Sequence, residues 1–89
     1  MRGKIIGISH NSGEYEGRPF DSVKVYAVCD ARGLIAGEGT CAASCKTENI
    51  PLVFGRDFTT PDDLAVLLGE TCVMCVNKYN QITDCVVVR

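Results

Sequence analysis

Phe20, Ser22, Lys24 and Tyr26 recur at every second position of the run Gly17-Arg18-Pro19-Phe20-Asp21-Ser22-Val23-Lys24-Val25-Tyr26-Ala27-Val28-Cys29. In an extended strand this spacing puts all four on one face, and Val23, Val25, Ala27 and Cys29 on the other. A cation between two aromatic rings suits single-stranded nucleic acid, because rings stack on bases of any identity and an ammonium group neutralises phosphate. Tyr15 and Tyr79 are further stacking candidates, and Arg18, Arg32, Lys46, Arg56 and Lys78 further phosphate partners. The plainer alternative is a half-exposed strand face, where Tyr, Phe and Lys fit a partly wet pleated surface without any ligand. Arg56 beside Asp57 can equally flank a helix cap, and Tyr79 can be a solvated turn residue.

The six cysteines offer a second kind of chemistry. Cys41-Ala-Ala-Ser-Cys45 and Cys72-Val-Met-Cys75 together present four thiolates in two close pairs, which raises a structural zinc module as an alternative. Against it, Thr71-Cys72-Val73-Met74-Cys75-Val76 reads as a strand, in which residues three apart point to opposite faces. Cys29 and Cys85 lie among Val and Ala, where free cysteine behaves as a small buried hydrophobe. The expectation is therefore buried thiols with no bound metal or cofactor. Catalysis finds no support either: His10 is the single histidine, and neither a glycine-rich phosphate loop nor a nucleophile elbow is present.

A chain of 89 residues makes one domain, 1–89, near the lower limit of what folds on one hydrophobic core. Its apolar runs, Leu64 to Leu68 and Val86 to Val88 among them, are too short to span a bilayer. Met1-Arg2-Gly3-Lys4 lacks a signal-type apolar stretch, so a cytoplasmic protein without membrane contact is expected. The net charge of −2 argues against bulk electrostatic coating of nucleic acid. Basic and acidic side chains balance over 1–60, however, and the acidic excess falls in 61–89, which leaves room for a local basic face.

Elements that would position these groups follow from local chemistry. Lys4 to Ile8 begins a strand, His10-Asn11-Ser12-Gly13 supplies turn residues, and 14–18 is a polar connection into the strand Phe20 to Cys29. Asp30-Ala31-Arg32-Gly33 makes a tight turn, and two short strands over about 34–38 and 42–54 follow, with Cys41 to Cys45 alternatively a helical turn. Thr60-Pro61-Asp62-Asp63 is a helix start, with a capping hydroxyl, a proline at the first position and carboxylates at the positive dipole end. Leu64, Leu67 and Leu68 form its buried stripe, and Gly69 ends it. The acidic pair is thereby explained without catalysis. Thr71 to Asn77 and Ile82 to Val88 complete the chain as a hairpin around Lys78-Tyr79-Asn80-Gln81.

The resulting order is compatible with an all-β, five-stranded oligonucleotide/oligosaccharide-binding (OB) Greek-key barrel with one short helix, about 61–68, between strands 3 and 4. A small barrel of this kind leaves strand edges that a second copy can cover, so a homodimer is expected. At Gly17-Arg18-Pro19-Phe20, the alternating run to Val28 and the Asp30-Ala31-Arg32-Gly33 turn, the chain resembles the filamentous-phage helix-destabilising proteins. The motif likeness covers residues 13–33, and the remainder matches only in length and element order. The resemblance implies cooperative, sequence-tolerant binding of single-stranded DNA by a symmetric homodimer, and it nominates Arg18, Phe20, Lys24 and Tyr26. The chain departs from that family in its net negative charge. A protein-interaction module of the same barrel class, using the same exposed aromatics, is the alternative to nucleic-acid binding.

Overall fold

The computed structural model describes residues 2–29 and 39–88. Its strands are β1 (Arg2–Tyr15), β2 (Arg18–Cys29), β3 (Gly39–Lys46), β4 (Thr71–Val76) and β5 (Ile82–Val87). Between β3 and β4 lie a 3-10 turn at Thr47–Asn49, the short helix α1 (Ile50–Phe54) and a 3-10 segment at Pro61–Leu67. The strands form one open antiparallel sheet in the order β3-β2-β1-β4-β5.

Alternation along β2 puts Val23, Val25 and Ala27 wholly inside, as their period-two spacing requires. Directly paired residues share a face, so Ile5 of β1 and Ala43 and Cys45 of β3 join them. Cys72, Met74 and Ile82 extend this inward face, Ile50 and Val53 come from α1, and Leu64 and Leu67 from the 3-10 segment. Full burial of side chains such as Ile5, Ile50, Leu64 and Met74 stabilises the fold by about 1.5–3 kcal/mol each. Among the described residues no helix is long and apolar enough to cross a membrane.

β1 and β2 differ from expectation. His10 to Gly13 make no turn, and 14–18 is not a connecting loop, because β1 runs on to Tyr15 and pairs with β2 from Gly3↔Cys29 to Tyr15↔Arg18. The reversal takes only Glu16 and Gly17, at φ 53° and 76°, the positive pair that matches the twist of a hairpin. β3 pairs with β2 only over 22–29 and β4 with β1 only at Arg2–Lys4, so the outer part of the hairpin is a two-stranded ribbon. The molecule's 45 Å long axis is about the length of fourteen residues at ~3.3 Å each. One irregularity, between Ile5 and Gly7, sets Ile6 apart as a bulge and shifts the alternation of β1 by one residue.

The stretch expected as a strand over 42–54 divides. Cys41 to Cys45 are extended in β3, not helical, and Ile50 to Phe54 form α1. Pro51 fits there as an early helical residue, and Ile50 and Val53, three apart, share the buried side. The helix expected over 61–68 is present as the 3-10 segment. Asp63 Oδ2 accepts the backbone N–H groups of Thr59 and Thr60, each at 2.9 Å, and Gly69 exits at φ 86°. Those bonds hold the Asp63 carboxyl down at about 2, backbone donors first and the Thr59 hydroxyl after them.

The sheet order places β3 and β5 at opposite ends, yet they meet at one point. Ser44 and Gln81 form an isolated parallel bridge, Ser44 N donates to Asn80 O at 3.1 Å, and Asn80 Nδ2 donates to Ala42 O at 2.8 Å. No continuous ladder joins the two strands among the described residues, so the expected closed barrel is an open sheet. The turn 30–33, the strand expected over 34–38 and Arg32 lie outside the described residues.

Candidate nucleic-acid interface

The register assigns the nominated side chains of the strands to a face. Outward on β2 stand Arg18, Phe20, Ser22, Lys24 and Tyr26, and directly opposite on β3 stand Lys46, Ser44 and Ala42, paired with Ser22, Lys24 and Tyr26. On β1 the outward partners are Tyr15, Gly13, Asn11, Ser9 and Gly7, followed beyond the bulge by Lys4 opposite Val28. Lys4, Arg18, Lys24 and Lys46 are therefore on one surface with Tyr15, Phe20 and Tyr26. No carboxylate occupies an outward position of β1, β2 or β3 among the described residues.

Both rings on β2 face a glycine. A Cβ on Gly13 would come within 3.2 Å of Phe20 Cζ, and one on Gly7 within 3.6 Å of Tyr26 Cδ2, so each ring lies against bare backbone of β1. Covering glycine is a structural role for an aromatic side chain. It also leaves the rings 46% and 38% exposed, held in place with a surface still free to stack. Lys24 Nζ lies 5.6 Å from the Tyr26 centroid. That distance suits a cation–π contact.

Near the base of the ribbon a cleft of about 680 Å³ is lined by Phe20, Ser22, Ser44, Lys46 and Gln81 together with two carboxylates, Asp21 and Glu48. Gln81 belongs to the β4–β5 turn, which Asn77 organises: its Oδ1 accepts Tyr79 N at 2.9 Å and Gln81 N at 3.0 Å. Through Asn80 this turn is fixed to β3 at Ala42 and Ser44. It carries Tyr79, 70% exposed, with Lys78 Nζ 5.1 Å from its ring centroid. Arg56 has no place in the β1–β3 register: it is exposed on the connection after α1, whose buried residues are Ile50 and Val53.

Three contributions escape a reading of the sequence. Lys4 shares the outward face only because the bulge at Ile6 resets the alternation, a feature no local residue type announces. Ser9, opposite Lys24, has a buried Oγ without a hydrogen-bond partner among the described residues. A buried hydroxyl left unpaired costs about 1–3 kcal/mol. His10 has a cross-strand partner that its sequence neighbours do not reveal, its Nε2 meeting Asp21 Oδ1 at 2.5 Å. The same oxygen accepts Thr47 Oγ1, and these bonds, Thr47 before His10, lower the Asp21 carboxyl. Asp21 is thereby tied to the turn after β3.

The cysteines divide by face. Cys72 is buried and Cys75 exposed, on opposite sides of β4. Burial pushes the Cys45 thiol up, and that of Cys85 to about 12. Among the described residues no group of three or more His, Cys, Asp or Glu side chains is gathered to hold a metal ion. Compared with known proteins, the chain matches no family model, no curated protein and no solved structure.

Proposed function

We propose that this chain is a non-enzymatic binder of single-stranded nucleic acid, single-stranded DNA in the first instance, working through the outward face of β1–β3. One observation carries the reading: Lys4, Arg18, Lys24 and Lys46 share that face with Phe20 and Tyr26, and no outward strand position among the described residues is a carboxylate, Asp21 and Glu48 reaching it only at the rim of the cleft. A chain of net negative charge thus has a locally cationic surface studded with rings, which is what sequence-tolerant binding requires. The resemblance of residues 13–33 to the filamentous-phage proteins points the same way.

The OB-like barrel and the homodimer belong to the same proposal. The OB-like assignment draws on the isolated Ser44–Gln81 bridge, which sets the β4–β5 turn against β3 although the sheet itself is open. Pairing of two copies is supported by the ribbon edges at 7–15 and 18–21, which have no neighbouring strand among the described residues.

Fluorescence anisotropy of a labelled oligothymidine, titrated at several salt concentrations, tests the reading. Binding is expected at low salt, with log affinity falling against log salt by about 0.7 per phosphate neutralised. Absence of binding at low salt would overturn it. The protein-interaction reading draws on Val73 and Val86, a cross-strand apolar pair that is 38% and 56% exposed. Salt-insensitive association of the chain in sedimentation, without oligothymidine binding, would favour that alternative.

A further inference from the structure

The strand register pairs the cysteines in a way their sequence spacing does not. Cys29 faces Gly39 on β3, while Cys41 faces Ala27, so the two cysteines are diagonal neighbours on the inward side of β2 and β3. On its other flank Cys29 faces Gly3 of β1. With glycine on both sides, Cys29 has no side chain directly opposite it, and Cys41 is its diagonal neighbour across the β2–β3 ladder. The two thiols interact: burial first, and then a hydrogen bond with Cys29, pushes the Cys41 thiol up to about 11. Both residues are only partly buried, and Cys41 Sγ also reaches Ala27 O at 3.7 Å.

We propose that Cys29 and Cys41 are a cross-strand dithiol that small-molecule disulfides of the glutathione class oxidise to a protein disulfide. The Cys29 thiolate attacks one sulfur of the small disulfide, forming a mixed disulfide and releasing one thiolate, which takes up a proton. Cys41 then loses its proton to solvent, and its sulfur attacks Cys29 Sγ, expelling the second small thiol. Two protein S–H bonds are lost, one protein S–S bond is gained, and one small disulfide is reduced to two thiols. Diagonal Cα atoms in a sheet are roughly 7–8 Å apart, so closure draws the strands together by about 1 Å to reach disulfide geometry. Cys29 can supply that movement because its direct cross-strand neighbours, Gly3 and Gly39, place no side chain against it.

The other cysteines provide internal controls. Cys72 and Cys85 repeat the diagonal arrangement on β4 and β5, but Cys72 is completely buried. Cys75 is exposed and faces Asp84, with no thiol across from it.

The experiment is peptide mapping of the native protein after oxidised glutathione treatment, carried to full reaction of Cys75, with free thiols alkylated and digestion without reductant. The expected result is a peptide joining Cys29 to Cys41, lighter by two hydrogens than the free pair, with Cys75 carrying glutathione and Cys72 unmodified. Cys41→Ser should instead trap Cys29 as a glutathione adduct. Alkylated, unlinked Cys29 and Cys41 beside fully modified Cys75 would overturn the proposal, as would separate adducts on both. Mapping of the parent chain decides the matter even where Cys41→Ser fails to fold.

Discussion

The Phe20 ring lies across Gly13, its direct partner on β1, so closely that a Cβ at Gly13 would meet Cζ at 3.2 Å. The ring must shift by a few tenths of an ångström to admit a methyl group. Gly13→Ala is expected to weaken oligothymidine binding several-fold while changing stability little, since alanine also removes glycine's backbone-entropy cost of about 0.5–1 kcal/mol. Anisotropy and thermal melting check the two halves, and unchanged affinity would show that Phe20 is not a stacking ring.

Lys24 and Tyr26 lie on the same surface, and neither contributes to the core cluster. Lys24→Ala combined with Tyr26→Ala is expected to lower affinity by ~10- to 100-fold, from one lost stack of about 1–3 kcal/mol and one lost cation. Circular dichroism should stay native. Unfolding of the double variant would mean that the outward face is needed for folding itself.

Cations on and off the face should behave differently. Lys46→Ala removes an outward charge opposite Ser22 and should flatten the salt dependence by about 0.7. Arg56→Ala, on the connection after α1, should leave the slope unchanged. Equal effects of the two would indicate diffuse attraction instead of a defined surface.

Two glycines separate steric from conformational demands. A Cβ at Gly3 would come within 2.5 Å of Val28 O, a backbone atom that cannot yield without moving β2. Gly17 meets open space at φ 76°, so Gly17→Ala costs only the left-handed conformation, about 1–2 kcal/mol. Denaturant melts should rank Gly3→Ala as the more damaging.

Acid should weaken the start of the 3-10 segment. Asp63 is lowered from 3.8 to about 2, so its contribution is complete above the ordinary carboxylate value and is lost as pH falls through about 2. Asp63→Asn is therefore expected to be less stable than the parent at neutral pH, with the difference vanishing near the lower value. A constant difference across that range, in denaturant melts at each pH, would contradict the assignment.

How much of this was legible depended on whether the signal was local. The faces of β2 follow from strict alternation over 20–28, and the start at Thr60 to Asp63 from residues that bond one another within a single turn. The ribbon did not follow, because Asn11, Ser12 and Gly13 have turn chemistry yet are held extended by their partners Ser22, Asp21 and Phe20. α1 was hidden by residues that also suit a strand; only the spacing of Ile50 and Val53 speaks for a helix. The placement of Lys4 and the juxtaposition of Cys29 with Cys41 depend on register between strands, which no single stretch encodes.

Glu16 and Gly17 are the whole of the reversal between Tyr15 and Arg18, and so the ribbon has no slack. Adding or removing one residue there would offset the two strands by half a side-chain period. Unless a new bulge absorbed the error, either the β1–β2 pairing would be lost or Lys24 and Tyr26 would exchange faces with Val23 and Val25. The phase of the entire charged surface is thus referenced to two residues at its free tip, farthest from the core that holds the domain together.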